Sequence, residues 1–103
     1  MTPVPILTHT WSASGNEVRV TVTNLGSADA YGAYVKIGFD AGNNQAWNQQ
    51  QSPIFNLGIN QKITATFTPR VPYGQHTRLI VQILLGGYVV DESYSDWFNT
   101  NPY

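Results

Sequence analysis

Short runs of alternating residues, each closed by turn formers, constrain this chain more than any other feature. Val18, Val20 and Val22 alternate with Arg19, Thr21 and Thr23. Ala33, Val35, Ile37 and Phe39 alternate with Tyr34, Lys36 and Gly38. Ile63, Ala65 and Phe67 alternate with Lys62, Thr64, Thr66 and Thr68, and Leu79, Val81 and Ile83 with Ile80, Gln82 and Leu84. A period of two sends successive side chains to opposite faces, so each run reads as a half-buried strand. Their β-branched and aromatic residues suit a pleated surface. No segment keeps a helical period long enough to predict a helix.

Turn signals separate the runs: Ser14-Gly15-Asn16, Asn24-Leu25-Gly26-Ser27, Ala41-Gly42-Asn43-Asn44, Gly58-Ile59-Asn60, and Pro69 to Gly74. Gly86-Gly87 reads as a two-residue hairpin. The strands expected are 6–12, 17–24, 31–39, 53–57, 62–68, 76–85 and 88–94. In 103 residues this spacing predicts an all-β fold, an Ig-like (fibronectin III-like) antiparallel β-sandwich of about seven strands. An eight-stranded barrel would need one more strand, from 45–51. The length suits one domain over 1–103. Residues 1–8 lack the charged start and apolar stretch of a signal peptide. The chain reads as a module excised from a larger protein.

Composition narrows the function. Lys and Arg number 5 and Asp and Glu 6, only 11% charged residues for a net charge of −1. Arg19, Lys36, Lys62, Arg70 and Arg78 stand singly, so there is no basic patch to neutralise nucleic-acid phosphates. Polarity comes instead from ten Thr, nine Asn and seven Gln, a surface common in secreted β-proteins. With no cysteine, disulfides, thiolate metal sites and thiol catalysis are excluded. Ile83-Leu84-Leu85 is too short to cross a bilayer.

The segment VRVTVTNLGSADA (18–30), a strand followed by Asn, x, Gly, Ser and Ala, resembles the second strand and turn of adhesion-related bacterial and archaeal Ig-like domains of the CARDB type. YVKIGFD (34–40), FNLGINQKITATFTP (55–69), GQHTRLIVQI (74–83) and DESYSDWFNT (91–100) follow in a similar order. The resemblance covers roughly residues 15–100. Two departures stand out. Tyr94, Trp97 and Phe98 replace the family's acidic-Asn close, and the Asn/Gln stretch around Trp47 is foreign to the pattern. The resemblance implies an extracellular, non-catalytic module.

Several residues are candidates for chemistry. Trp47, flanked by Asn43, Asn44, Gln45, Asn48 and Gln49, reads as an exposed loop joining two sheets. An indole stacks on the C–H face of a sugar while amides bond its hydroxyls, with Tyr31 or Tyr34 as coplanar neighbours. Trp47 could equally fold back as a plug over the core. Asp91, Glu92 and Asp96 hold half of the six acids and offer oxygen ligands for Ca²⁺. Adjacent strand residues face opposite ways, however, and charge here also blunts an edge strand. His9 and His76 lack metal-ligand spacing and read as independent imidazoles. No Gly-x-Ser-x-Gly elbow or phosphate loop is present. With Leu79, Val81 and Ile83 inward, Tyr34, Ile80 and Leu84 form an outward apolar face that needs cover from another domain, a second copy or this chain's own closing segment. Tyr88, Tyr94, Trp97, Phe98 and Tyr103 form an aromatic group, of which one of Trp97 and Phe98 is a candidate contact for a neighbouring domain.

The expectation is therefore a non-catalytic adhesion, spacer or protein-interaction module of a secreted or cell-surface protein. It has no cofactor, metal or membrane insertion, and its partners are neighbouring domains or other proteins. The alternative is a carbohydrate-binding module of a polysaccharide-active enzyme using Trp47, Asn44, Gln45, Asn48 and Gln49. A third reading is an assembly subunit that pairs through a strand edge or the Tyr34–Ile80–Leu84 face.

Overall fold

A computed structural model describes residues 2–14, 17–40, 46–69 and 76–99. Its strands are β1 (Leu7–Ser14), β2 (Glu17–Asn24), β3 (Ala30–Asp40), β4 (Ala46–Gln51), β5 (Phe55–Leu57), β6 (Lys62–Phe67), β7 (His76–Thr77), β8 (Leu79–Leu85), β9 (Tyr88–Tyr94) and β10 (Phe98–Asn99). One antiparallel sheet has the order β1-β2-β6, and the other β4-β3-β8-β9 with β5 also on β3. β10 pairs antiparallel with β7.

The alternation sets the packing. Leu7, Val18, Val20 and Val22 of one sheet meet Val35, Ile37, Phe39, Leu79, Val81 and Ile83 of the other in one buried cluster. Each such side chain contributes about 1.5–3 kcal/mol when removed from water. Among the described residues no ladder joins the two sheets, so the fold is a sandwich rather than a barrel. Gly86 and Gly87 both take positive φ, 62° and 86°, as a primed two-residue hairpin requires.

Residues 43–51 do not all form a connection, and they do not lead to the opposite sheet. Residues 46–51 are strand β4, and Lys36 pairs with Gln51 and Phe39 with Trp47. Asn and Gln have poor strand propensity, but the open edge of β3 supplies the backbone partners. β5 pairs farther along the same edge, through Ala30 and Ala33. Between them Ser52 donates its N–H to the Val35 carbonyl (2.8 Å) and accepts the Val35 N–H on Oγ (3.0 Å). The serine thus holds the chain to β3 just before Pro53, which has no N–H to give. The crossing to the other sheet comes later, at the turn 58–61 between β5 and β6.

The segment after β2 is organised by Asn24, which is fully buried. Its Oδ1 accepts the N–H groups of Ile6 (3.3 Å) and Gly26 (2.9 Å). Its Nδ2 donates to the carbonyls of Ala28 (2.8 Å) and Leu57 (3.1 Å). That uses the full hydrogen-bonding capacity of one amide. Gly26 lies against the chain before β1: a Cβ there would collide with the Val4 carbonyl, the Ile6 N–H and Pro5 Cα.

Candidate functional site

The expected sites are distributed unequally. Asn44 and Gln45 lie outside the described residues, as do Asn43 and Tyr103. Trp47 and Asn48 are placed on β4 by their backbone alone, while Gln49 is exposed on that edge. Tyr31 and Tyr34 stand on β3, toward the end remote from Phe39, the partner of Trp47.

The outward face of β8 is already covered. Ile80 and Leu84 are 8% and 7% exposed, so neither offers a free apolar surface. Cross-strand neighbours contribute to this: Tyr94 stands beside Ile80, and Tyr34 and Val89 flank Leu84.

The acidic group is split by the pleat of β9. Asp91 turns inward and meets His9 Nδ1 at 2.7 Å, and the other imidazole nitrogen lies 2.6 Å from Ser93 Oγ. The His9 side chain is only 4% exposed. His9 is therefore a clasp between β1 and β9, the edge strands of the two sheets, and not an independent imidazole. Glu92 turns outward, accepting from Gln82 Nε2 (2.6 Å) and from the Tyr94 hydroxyl (2.5 Å). Asp96 is exposed beyond the strand. Among the described residues no three acids or histidines converge as a metal site would require.

A different cluster occupies the end of the second sheet. Asp40 is buried, and its Oδ2 accepts from Arg78 Nε at 3.0 Å. Its carbonyl accepts from buried Thr77 Oγ1 at 2.7 Å, and its N–H donates to the Arg78 carbonyl at 2.9 Å. The Arg78 guanidinium lies 4.2 Å from the Tyr94 ring centre and 4.8 Å from the Trp97 ring. His76 stacks on Trp97 at 5.1 Å and 10°. Strand alternation explains the array: His76 and Arg78 are two apart and share a face. Tyr94 and Trp97 remain 46% and 42% exposed, and Phe98 37%. The carboxylate aims the cation, and the cation holds two rings at the surface. The aromatics are legible in the sequence, whereas the pairing of Asp40 with Arg78 beneath them is not.

Tyr94 has a measurable signature. Its hydrogen bond to Glu92 holds its phenol above the ordinary tyrosine range, with burial and the Glu92 charge adding and Arg78 opposing. A raised folded value favours the neutral phenol. The stabilisation is complete below the ordinary tyrosine range and is lost as pH rises through the raised value. In Glu92→Gln, absorbance titration should show Tyr94 ionising at lower pH than in the wild type, since only a neutral acceptor remains.

The sequence matches no protein-family model and no curated protein.

Proposed function

We propose that this chain is a non-catalytic Ig-like module of a secreted or cell-surface protein, serving adhesion, spacing or protein contact through its Tyr94–Trp97–Phe98 end. The observation that carries this reading is the exposed aromatic array braced from beneath by the Asp40–Arg78 pair. Trp, Tyr and Arg dominate the binding energy of protein interfaces, and prior anchoring lowers the entropy lost on contact. The strand order supports the Ig-like part: β1, β2 and β6 correspond to strands A, B and E, and β3, β8 and β9 to C, F and G. The motif likeness to CARDB-type domains and the low charge support a secreted or surface setting.

The test is retention on immobilised extracellular proteins, on a second copy of the domain, and on insoluble cellulose, chitin and xylan. The wild type should be held on a protein surface and Trp97→Ala released by roughly tenfold or more, with unchanged thermal stability. Equal retention of both on every protein surface would sink the reading. A second reading, a carbohydrate-binding module centred on Trp47, is favoured by the exposed amides Gln49, Gln50 and Gln51 along the β4 edge. Polysaccharide binding abolished by Trp47→Ala would establish it in place of the first.

A further inference from the structure

At the other end of β3 from Asp40, a groove of about 490 Å³ opens between the start of that strand and the turn 58–61. That volume falls in the range of small-ligand sites. One wall is the Tyr31 ring, 67% exposed. Beside it, Asp29 is fixed by two donors, the Tyr31 hydroxyl on Oδ2 (3.2 Å) and the Ile59 N–H on Oδ1 (3.3 Å). The Asp29 bond and charge raise the Tyr31 phenol above its ordinary range, which keeps the ring neutral.

Two amides complete the groove, and both are oriented. Asn56 Oδ1 accepts the Gly32 N–H at 3.0 Å, and Gln61 Oε1 accepts the Gly58 N–H at 2.8 Å. A backbone N–H can be met only by the amide oxygen, so each NH₂ group is turned the other way. Neither NH₂ has a protein partner among the described residues. Gly58 permits this: a Cβ there would come within 2.7 Å of Gln61 Oε1.

From this we infer that the Tyr31 groove binds a neutral pyranose. The flat ring matches the apolar C–H face of the sugar. The two fixed NH₂ groups donate to hydroxyl oxygens, and Asp29 accepts from a neighbouring hydroxyl. The chemistry discriminates. With a carboxylate and no cation among its lining residues, the groove repels acidic sugars. The two outward donors oppose an ammonium group, which would otherwise be drawn to Asp29 and the ring. This assignment does not depend on Trp47 or Trp97, which stand at the far end of the sheet.

The experiment follows backbone and side-chain amide resonances of the ¹⁵N-labelled domain during titration. The probes are cellobiose, xylobiose, diacetylchitobiose, glucuronate and lysine amide. At least one neutral disaccharide should shift the Asn56 and Gln61 side-chain signals and the Gly58 and Ile59 amides. The affinity should fall about tenfold or more in Tyr31→Ala, as loss of a stacking ring predicts. Gly58→Ala, which displaces Gln61, should weaken it too, while Trp47→Ala and Trp97→Ala leave it unchanged. Three results would overturn the inference: no shift with any neutral disaccharide to about 50 mM, far beyond millimolar affinity; equal or larger shifts with glucuronate or lysine amide; or binding that survives Tyr31→Ala. Tyr31 is exposed, so the variant's fold can be checked from the undisturbed core signals.

Discussion

Replacing Asn24 with alanine is expected to cost about 3–5 kcal/mol, roughly one for each of four hydrogen bonds with more for a carbonyl left bare in the interior. For a domain of this size that lowers the thermal midpoint by about 15–25 °C. The reason lies in what the side chain joins. One amide ties the N–H groups of Ile6 and Gly26 to the carbonyls of Ala28 and Leu57. It thereby fastens the chain before β1, the turn after β2 and the end of β5. The Leu57 carbonyl bond is fully buried, so water cannot replace it without opening the sandwich. Asn24→Asp is the sharper variant. It keeps the acceptor but sets a carboxylate oxygen against two carbonyls, so at neutral pH it should lose at least as much. Burial raises the pKa of such an acid, and the protonated form can again donate to one carbonyl. Its deficit should therefore shrink on acidification, whereas that of the alanine variant should not. Calorimetry across pH separates the two, and a loss below about 1 kcal/mol for the alanine variant would show that the amide is not the hub described.

The second large effect is expected from Arg78→Met. Taking the cation away from a carboxylate only 3% exposed should cost about 3–5 kcal/mol. Removing both partners together, as Arg78→Met with Asp40→Leu, should cost less than the single change, because the buried carboxylate that would lose its guanidinium is removed as well. Arg78→Lys should fall between. An ammonium can approach Asp40, but it cannot also lie flat beside Tyr94 and Trp97. Tryptophan fluorescence gives an independent readout. Once the guanidinium no longer braces it, Trp97 should emit at longer wavelength. Additive losses in the double variant, or an unchanged spectrum in Arg78→Met, would refute this account.

Both residues mark the boundary of what a linear reading can supply. The inward faces of β2, β3 and β8 were legible because period-two alternation is local, and Val20, Val35 and Val81 are fully buried as it predicts. Asn24 and Gly26 were visible as a motif, but not as an amide hub and a close backbone approach, since their partners come from β5 and the segment before β1. β4 is not legible because its Asn and Gln residues favour loops and its backbone partners come from the neighbouring strand. Asp40 and Arg78 are 38 positions apart, and His9 and Asp91 82 apart. No spacing rule connects such pairs. The Tyr31 groove is not legible for the same reason: Asn56 lies on β5 and Gln61 in the turn after it, and only the fold brings both to the start of β3.

The His9 clasp sets the alignment of the two sheets along one seam. β1 is held to β2 by a ladder running from Leu7–Asn24 to Ser14–Glu17, and β9 to β8 by one running from Ile80–Tyr94 to Leu85–Tyr88. Between β1 and β9 themselves, the side-chain bonds among the described residues run through a single imidazole. The buried core also joins the two sheets, but apolar packing has no direction, so at this seam the imidazole bonds are what fix β1 in place along β9.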